Sequence, residues 1–232
     1  MGCAFDFFNR YNAAMNTLLA RLRSLQIARS LRLAAVAVGA MVFLNSCYLP
    51  IYFDSEIELS RAGYFKMTFD GYLAKVELYE KLRKNEITPS EEKEDVAAVI
   101  TDFKRDTSTK VIEYKQKARF HVNWSREGDL TKVKTVTFYR RNENMLGISY
   151  NSKSGQVAIS GRSIQRDIRQ RLNDAGLAMR GEIRVMTDAP VLRHNATNVT
   201  RGPSRLGPNY KTYTWKIDNI FASTPSMGIA LR

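Results

Sequence analysis

Hydrophobic and polar side chains alternate along much of the chain after residue 50. In residues 51–59 nearly every second side chain is apolar, with Ile51 on the same side as Phe53, and the alternation resumes in residues 65–69 after a turn at 61–63. A period of two residues is typical of a strand with one buried face. The two stretches therefore predict a β-hairpin.

The longest alternating stretch, residues 111–124, predicts one long strand because its apolar side chains all fall on one side. A turn at 126–129 and a returning strand at 130–141 are predicted to follow it. If these two strands are neighbours, their outer faces form one basic surface, which carries Lys115, Lys117, Arg119, Lys132 and Lys134. Further strands are predicted at residues 145–150, 156–160, 181–187, 210–218 and 227–231.

Three segments have helical spacing instead. Residues 72–86 predict a first helix, and a second begins at Pro89, with acidic residues in its first turn. Residues 163–175 predict an amphipathic helix that Ser163 caps and Gly176 ends. The chain is therefore predicted to have an α+β fold, a mainly antiparallel β-sheet built from hairpins with two or three α-helices packed against it.

An apolar run at residues 33–44 follows a group of arginines and precedes Cys47. A basic segment followed by roughly 7–15 apolar residues is typical of a secretion signal. Twelve helical residues span about 18 Å, less than the hydrocarbon core of about 30 Å, which disfavours the alternative of an uncleaved transmembrane anchor. We therefore predict a signal peptide at residues 1–46, for which Met15 is an alternative start, and a single extracytoplasmic domain at 47–232.

The residues Leu44-Asn45-Ser46-Cys47 resemble the lipobox of bacterial lipoproteins. In that family the cysteine thiol receives a diacylglyceryl group, the leader is cleaved before the cysteine, and the new amine is acylated. The resemblance implies that an acylated Cys47 anchors the domain in the cell envelope, facing the periplasm, since two or more acyl chains hold a protein stably on a membrane. In enterobacterial lipoproteins an Asp directly after the acylated cysteine favours retention in the inner membrane. This chain has Tyr48 at that position, which favours the outer membrane.

The chain is strongly basic, with 36 Lys and Arg against 23 Asp and Glu and a net charge of +13. Such a balance suits anionic partners, namely phospholipid head groups, lipopolysaccharide phosphates or nucleic acid. Export makes nucleic acid the least suitable partner, so none is predicted. The candidate contacts to an anionic lipid surface are Lys115, Lys117, Arg119, Lys132, Lys134, Arg162, Arg166 and Arg169. The alternative is that these charges only keep the domain soluble.

The sequence contains no recognisable catalytic or metal-binding motif. Its two histidines, His121 and His194, accompany no G-x-S-x-G, H-E-x-x-H or phosphate-loop pattern. Of its two cysteines only Cys47 belongs to the predicted mature domain, which therefore has no internal disulfide. No catalytic residue, metal or cofactor is predicted.

Residues 181–231 resemble the end of LppM-type bacterial lipoproteins. The resemblance lies in a strand followed by Thr187-Asp188-Ala189-Pro190, a turn at His194-Asn195-Ala196, and the strand Tyr213-Thr214-Trp215-Lys216-Ile217. It implies an extracytoplasmic α+β domain after the anchor, with a suggested role in lipid binding.

These features predict a membrane-anchored lipoprotein that is not an enzyme and that binds or organises envelope components, with lipid as one candidate ligand. The alternatives are a structural or assembly subunit of an envelope protein complex and an enzyme acting on envelope polymers. An aromatic-lined cavity would favour lipid binding. An exposed apolar patch or an edge strand would favour a protein partner. A cleft that groups a histidine with carboxylates would favour an enzyme.

Overall fold

Twelve strands and four helices make up the part of the chain that the computed structural model describes, residues 48–139, 145–201 and 205–231. The predicted signal peptide and Cys47 lie outside these residues. The strands are β1 (Tyr48–Leu59), β2 (Tyr64–Lys75), β3 (Thr109–Tyr114), β4 (Arg119–Asp129), β5 (Thr135–Phe138), β6 (Leu146–Asn151), β7 (Gln156–Gly161), β8 (Arg180–Thr187), β9 (Val191–His194), β10 (Asn198–Arg201), β11 (Lys211–Ile217) and β12 (Ser226–Ala230). The helices are α1 (Val76–Arg83), α2 (Pro89–Lys104), α3 (Leu130–Val133) and α4 (Arg166–Asp174).

The strands form two sheets. The seven-stranded sheet has the order β10-β11-β8-β1-β2-β4-β3, and the five-stranded sheet has the order β5-β6-β7-β12-β9. Neighbouring strands are antiparallel except for the parallel pair β1 and β8. The predicted fold class, α+β with mainly antiparallel strands, is confirmed.

Aromatic side chains join the inner faces of the two sheets. The ring of Phe138 on β5 stacks on Phe69 of β2 with 4.1 Å between centroids, and its centroid lies 5.3 Å from that of Trp124 on β4. All three side chains are at most 3% exposed and belong to one hydrophobic cluster shared by both sheets. Periodicity predicts that each strand has a buried face, but it does not say which sheet the strand joins.

A β-bulge at the start of β1 changes which side chains face the core. The register between β1 and β2 shifts between Pro50 and Tyr52, so one residue of β1 is left over. Ile51 consequently packs with Leu49 in a second cluster that includes Leu172 of α4. The prediction that Ile51 shares a face with the later apolar residues of β1 is wrong, because alternation along a strand does not reveal a bulge.

The predicted single strand at 111–124 is a hairpin of β3 and β4. Gln116, Lys117 and Ala118 have φ of 69°, 49° and 55°, and this left-handed turn reverses the chain. The backbone N–H of Lys115 closes the turn by donating to the carbonyl oxygen of Arg119 at 2.8 Å. The turn contains no glycine or proline, so nothing in its composition marked it.

Residues 126–129 continue β4 and do not form the predicted turn. The strand pairs with β2 as far as Asp129, which lies opposite Tyr64. The Asp129 carboxylate accepts a hydrogen bond from the backbone N–H of Thr131 at 2.9 Å and caps the short helix α3. This helix leads the chain to β5 in the other sheet, so β4 and β5 are not neighbours.

The helices differ from the predictions mainly at their starts. Helix α1 begins at Val76 rather than at residue 72, because residues up to Lys75 continue β2. Helix α4 begins at Arg166, and its N-cap is Gln165 rather than Ser163. Its predicted end is correct: Gly176 has φ of 81° and its N–H donates to the carbonyl oxygen of Asn173 at 2.9 Å, as in a Schellman motif.

Helix α2 begins at the predicted Pro89 and is held by a capping box. The Thr88 hydroxyl accepts from the backbone N–H of Glu91 at 3.3 Å, and the Glu91 carboxylate accepts from the backbone N–H of Thr88 at 2.8 Å. These bonds satisfy two N–H groups that a helix start otherwise leaves unpaired. The Thr88 N–H and hydroxyl, which both donate to the Glu91 carboxylate, lower the pKa of Glu91.

Replacing Thr88 by Ala is expected to lower the free energy of unfolding by about 1 kcal/mol, because the N-cap hydroxyl is lost. Urea denaturation of soluble residues 48–232 measures the change. Ser90→Ala, an exposed substitution inside the same helix, is the control and should leave the midpoint nearly unchanged. Equal midpoints for Thr88→Ala and Ser90→Ala would contradict the capping role.

Candidate functional site

An apolar cleft opens between the two sheets at the end of β1 where Tyr48 lies. Its lining includes Phe53 and Ile183 from the seven-stranded sheet and Phe138 from the five-stranded sheet. The cavity volume is about 80 Å³. The cleft is therefore narrow, with room for a slender apolar group.

Phe53 lies in the wall of the cleft between two glycines. Gly71 on β2 and Gly181 on β8 are its partners in the sheet. A Cβ atom at Gly71 would come within 2.4 Å of the Tyr52 carbonyl oxygen, and one at Gly181 within 2.4 Å of the Phe53 carbonyl oxygen. The absence of both side chains lets the Phe53 ring lie beside Phe69, with 5.8 Å between stacked centroids.

Arg162 and Arg169 are the charged side chains among the described residues that line the cleft. Arg162 is exposed, and its backbone N–H donates to the carbonyl oxygen of Met145 at 3.0 Å. Arg169 is half-buried on α4, and its Nε donates to the carbonyl oxygen of Ile164 at 2.6 Å. A mainly apolar lining that includes two arginines is suited to an amphiphile with an anionic head group.

The eight predicted contact residues lie at two ends of the seven-stranded sheet. Arg119, the first residue of β4, pairs with Ala74, which in turn pairs with Leu49 beside Tyr48. The last residue of β4, Asp129, lies roughly 33 Å from Arg119, because a strand rises about 3.3 Å per residue. The prediction of one basic surface on neighbouring strands is wrong, because β4 and β5 belong to different sheets. At the Tyr48 end lie Lys115, Lys117, Arg119, Arg162, Arg166 and Arg169, and Lys132 and Lys134 follow Asp129 at the other end.

Several of these cations already have partners within the domain. The Lys115 ammonium lies 2.7 Å from the Glu113 carboxylate, and this hydrogen bond lowers the pKa of Glu113. The Lys132 ammonium lies 3.7 Å from Asp129, and that of Lys134 lies 5.0 Å from the centroid of the Tyr150 ring. The charges at the far end are therefore partly engaged in local contacts.

The two histidines lie away from the lining of the cleft. His121 Nε2 is 2.9 Å from Asp70 Oδ1 on the outer face of the seven-stranded sheet, and the His194 ring packs edge-on against Tyr213. The described residues contain no group of three His, Cys, Asp or Glu side chains placed to hold a metal ion. None of the helices within the described ranges is long and apolar enough to cross a bilayer.

The cleft itself was not predicted from the sequence. Phe69, Ile183 and Ile217 alternate as inward-facing strand residues, but nothing local shows that they leave space between them. Gly71 and Gly181 are the sequence features that point to the cleft. They do so only once their pairing with Phe53 is known.

No protein family model matches the chain, and no curated protein matches it significantly. Among solved structures, the chain is similar to the NMR structure of the folded domain of the Mycobacterium tuberculosis LppM protein. The identity is 10%, the alignment covers 79% of this chain and 91% of that chain, and the TM-score is 0.39. A similarity this distant assigns neither fold nor function, so the proposals below rest on this chain's own residues.

Proposed function

We propose that the protein is a bacterial lipoprotein whose folded domain binds a lipid, without catalysing a reaction, in the apolar cleft between its two sheets. The observation that carries the proposal is the cleft, with aromatic and aliphatic walls and two arginines in its lining. Burial of an acyl chain there removes apolar surface from water, which favours binding by about 25 cal/mol per Å² before the costs of association.

The arginines select the head group of this lipid. Arg169 is oriented by its bond to the Ile164 carbonyl, and its guanidinium carries further N–H donors for a phosphate or carboxylate. Arg162 adds a second positive charge to the same lining. The proposed ligand is therefore an anionic phospholipid or glycolipid with one chain in the cleft.

The position of the cleft agrees with anchoring through Cys47. Tyr48 lines the cleft and follows Cys47 directly in the sequence, so an acyl anchor on Cys47 would hold the cleft close to the bilayer. The predicted contacts at the same end would meet an anionic membrane surface, where a Lys or Arg contributes about 1 kcal/mol and Lys115, which Glu113 already holds, contributes less. In this proposal the domain faces the periplasm and is held at the outer rather than the inner membrane. These contacts are Lys115, Lys117, Arg119, Arg162, Arg166 and Arg169.

Native mass spectrometry on soluble residues 48–232, purified from a bacterial envelope fraction, tests the proposal. This chain lacks Cys47, so any added lipid mass belongs to the folded domain. The wild-type domain is expected to carry a discrete mass that matches a phospholipid or glycolipid. A bare wild-type mass would reject lipid binding in the cleft.

A matched pair of tryptophan substitutions locates the bound lipid. Ala222→Trp places an indole in the cleft lining and is expected to remove the added mass, because the ring occupies the space of the chain. Ala158→Trp places the same ring at an exposed position of β7 and is expected to keep the added mass. If both variants retain the lipid, it binds outside the cleft.

A role as a subunit of an envelope complex is the second candidate, and an edge strand favours it. All four residues of β10 are exposed, and β10 forms one edge of the seven-stranded sheet. Such an edge offers backbone groups for pairing with a strand of a partner protein. A bare mass in the experiment above would direct the search to this partner.

A further inference from the structure

A row of five side chains crosses the outer face of the seven-stranded sheet. They occupy directly opposed positions on neighbouring strands from β8 to β3, in the order Arg180, Tyr52, Tyr72, His121 and Glu113. Neighbouring strands lie about 4.8 Å apart, so the row is roughly 19 Å long. Its middle consists of three rings, of which Tyr52 is 52% and Tyr72 37% exposed. The centroid of the Tyr72 ring lies 5.3 Å from that of His121.

A second row, of hydrogen-bonding side chains, runs beside the first on β8, β1, β2 and β4, two positions nearer the β1–β2 turn. It consists of Glu182, Asp54, Asp70 and Asn123. Asp70 Oδ1 lies 2.9 Å from His121 Nε2, and Asp70 Oδ2 accepts from Asn123 Nδ2 at 3.1 Å. These contacts orient the exposed Asp70 carboxylate and leave each of its oxygens able to accept a further hydrogen bond.

The charges of the second row indicate what kind of ligand this face accepts. Arg184 donates to Asp54 at 2.5 Å and to Glu182 at 2.6 Å, so both carboxylates are engaged by one guanidinium. The Asp70 carboxylate contacts His121 and Asn123 rather than this guanidinium. The cations Arg180, Arg184 and Lys115 lie among these carboxylates, so neither sign of charge dominates the face. The carboxylates accept hydrogen bonds from hydroxyl groups, which favours an uncharged ligand rich in hydroxyls.

A neutral sugar combines the two chemistries that the rows provide. A pyranose ring has a face of C–H groups, which packs against an aromatic ring, and an edge of hydroxyl groups, which pair with carboxylates and amides. The spacing of about 4.8 Å between strands is close to the length of one sugar residue in an extended glycan. Tyr52 and Tyr72 on adjacent strands therefore suit successive sugars.

We propose that this face binds a neutral glycan chain, whose sugar rings pack on Tyr52 and Tyr72 and whose hydroxyl groups donate to Asp70 and accept from Asn123. The site lies on the outer face of the sheet, whereas the lipid cleft lies on its inner face. Binding of a neutral sugar does not depend on the proposed lipid. That the glycan belongs to the cell envelope does rest on the proposed location.

Affinity electrophoresis of the full chain in detergent micelles tests the proposal. Native gels contain a soluble galactan, mannan or glucan, one polysaccharide per gel. Wild-type protein is expected to be retarded in at least one of these gels. The double variant Tyr52→Ala/Tyr72→Ala is expected to bind that polysaccharide at least tenfold more weakly. Tyr64→Ala, at an exposed tyrosine (48%) on β2 outside the row, is the control and should bind like wild type.

A second variant keeps the test decisive if the double variant fails to fold. Asp70→Asn preserves the shape of the side chain but removes its charge, and it is expected to weaken binding about fivefold because one acceptor becomes a donor. The Ala222→Trp variant should be retarded like wild type, which separates this site from the cleft. Wild-type protein that is retarded in none of the gels would overturn the proposal, and so would equal retardation of wild type, the double variant and Asp70→Asn.

Discussion

Replacing Phe138 by Ala is expected to lower the free energy of unfolding by about 3–5 kcal/mol, the usual cost of deleting a buried aromatic side chain. The ring is 1% exposed and packs on Phe69 and Trp124 of the opposite sheet. Its removal therefore leaves a cavity at the contact that joins the two sheets. Domains are stable by only about 5–15 kcal/mol, so this is a large fraction of the total.

Urea denaturation of soluble residues 48–232 measures the effect of Phe138→Ala, with Phe221→Ala as the matched control. Phe221 is 43% exposed, and its removal is expected to change the free energy of unfolding by less than about 0.5 kcal/mol. If Phe138→Ala does not fold, Phe138→Leu leaves a smaller cavity and is expected to cost roughly 1–2 kcal/mol. Equal losses for Phe138→Ala and Phe221→Ala would contradict the packing of the two sheets.

The substitution Gly71→Ala is expected to destabilise the domain, although strand propensity alone predicts the opposite sign. Glycine is a poor residue for the interior of a strand, so Ala at such a position is usually stabilising. At Gly71, however, the new Cβ would lie 2.4 Å from the Tyr52 carbonyl oxygen and 2.6 Å from the Phe53 Cα. These are backbone atoms, so relief requires β1 and β2 to separate. Overpacking of this kind costs about 1–3 kcal/mol.

Two further substitutions check the origin of this effect. Gly181→Ala brings a Cβ within 2.4 Å of the Phe53 carbonyl oxygen from the other side and is expected to destabilise for the same reason. Thr68→Ala changes a half-buried residue of β2 and is expected to cost less than about 1 kcal/mol. An increase in the urea midpoint of Gly71→Ala would show that Phe53 has more room than this structure gives it.

Local signals in the sequence were reliable where neighbouring residues decide the structure. Helix α2 begins at the predicted Pro89 because its capping box needs only Thr88 and Glu91, three residues apart. Helix α4 is followed by the predicted Gly176 because a left-handed residue there satisfies the last carbonyl groups. The hairpin of β1 and β2 follows from alternation and a short turn.

The candidate sites depend on contacts that the sequence does not display. Phe53 and Ile183 are distant in sequence, and they meet because β1 and β8 pair in parallel across a long connection. Tyr52 and Tyr72 lie opposite each other because β2 continues to Lys75, whereas helical spacing placed Tyr72 in the first predicted helix. The row therefore depends on strand pairing, which periodicity does not show.

The sequence alone determined the α+β class, most strand positions, the start of α2 and the excess of positive charge, because these depend on residue types and short spacings. Its prediction of an acylated Cys47 stays a prediction. Only the tertiary structure decided that the strands divide into two sheets, that the basic residues lie at opposite ends, and that a cleft remains between the sheets. Pairing between distant strands is selected by the packing of the whole core, and the pattern within any one strand is compatible with several partners.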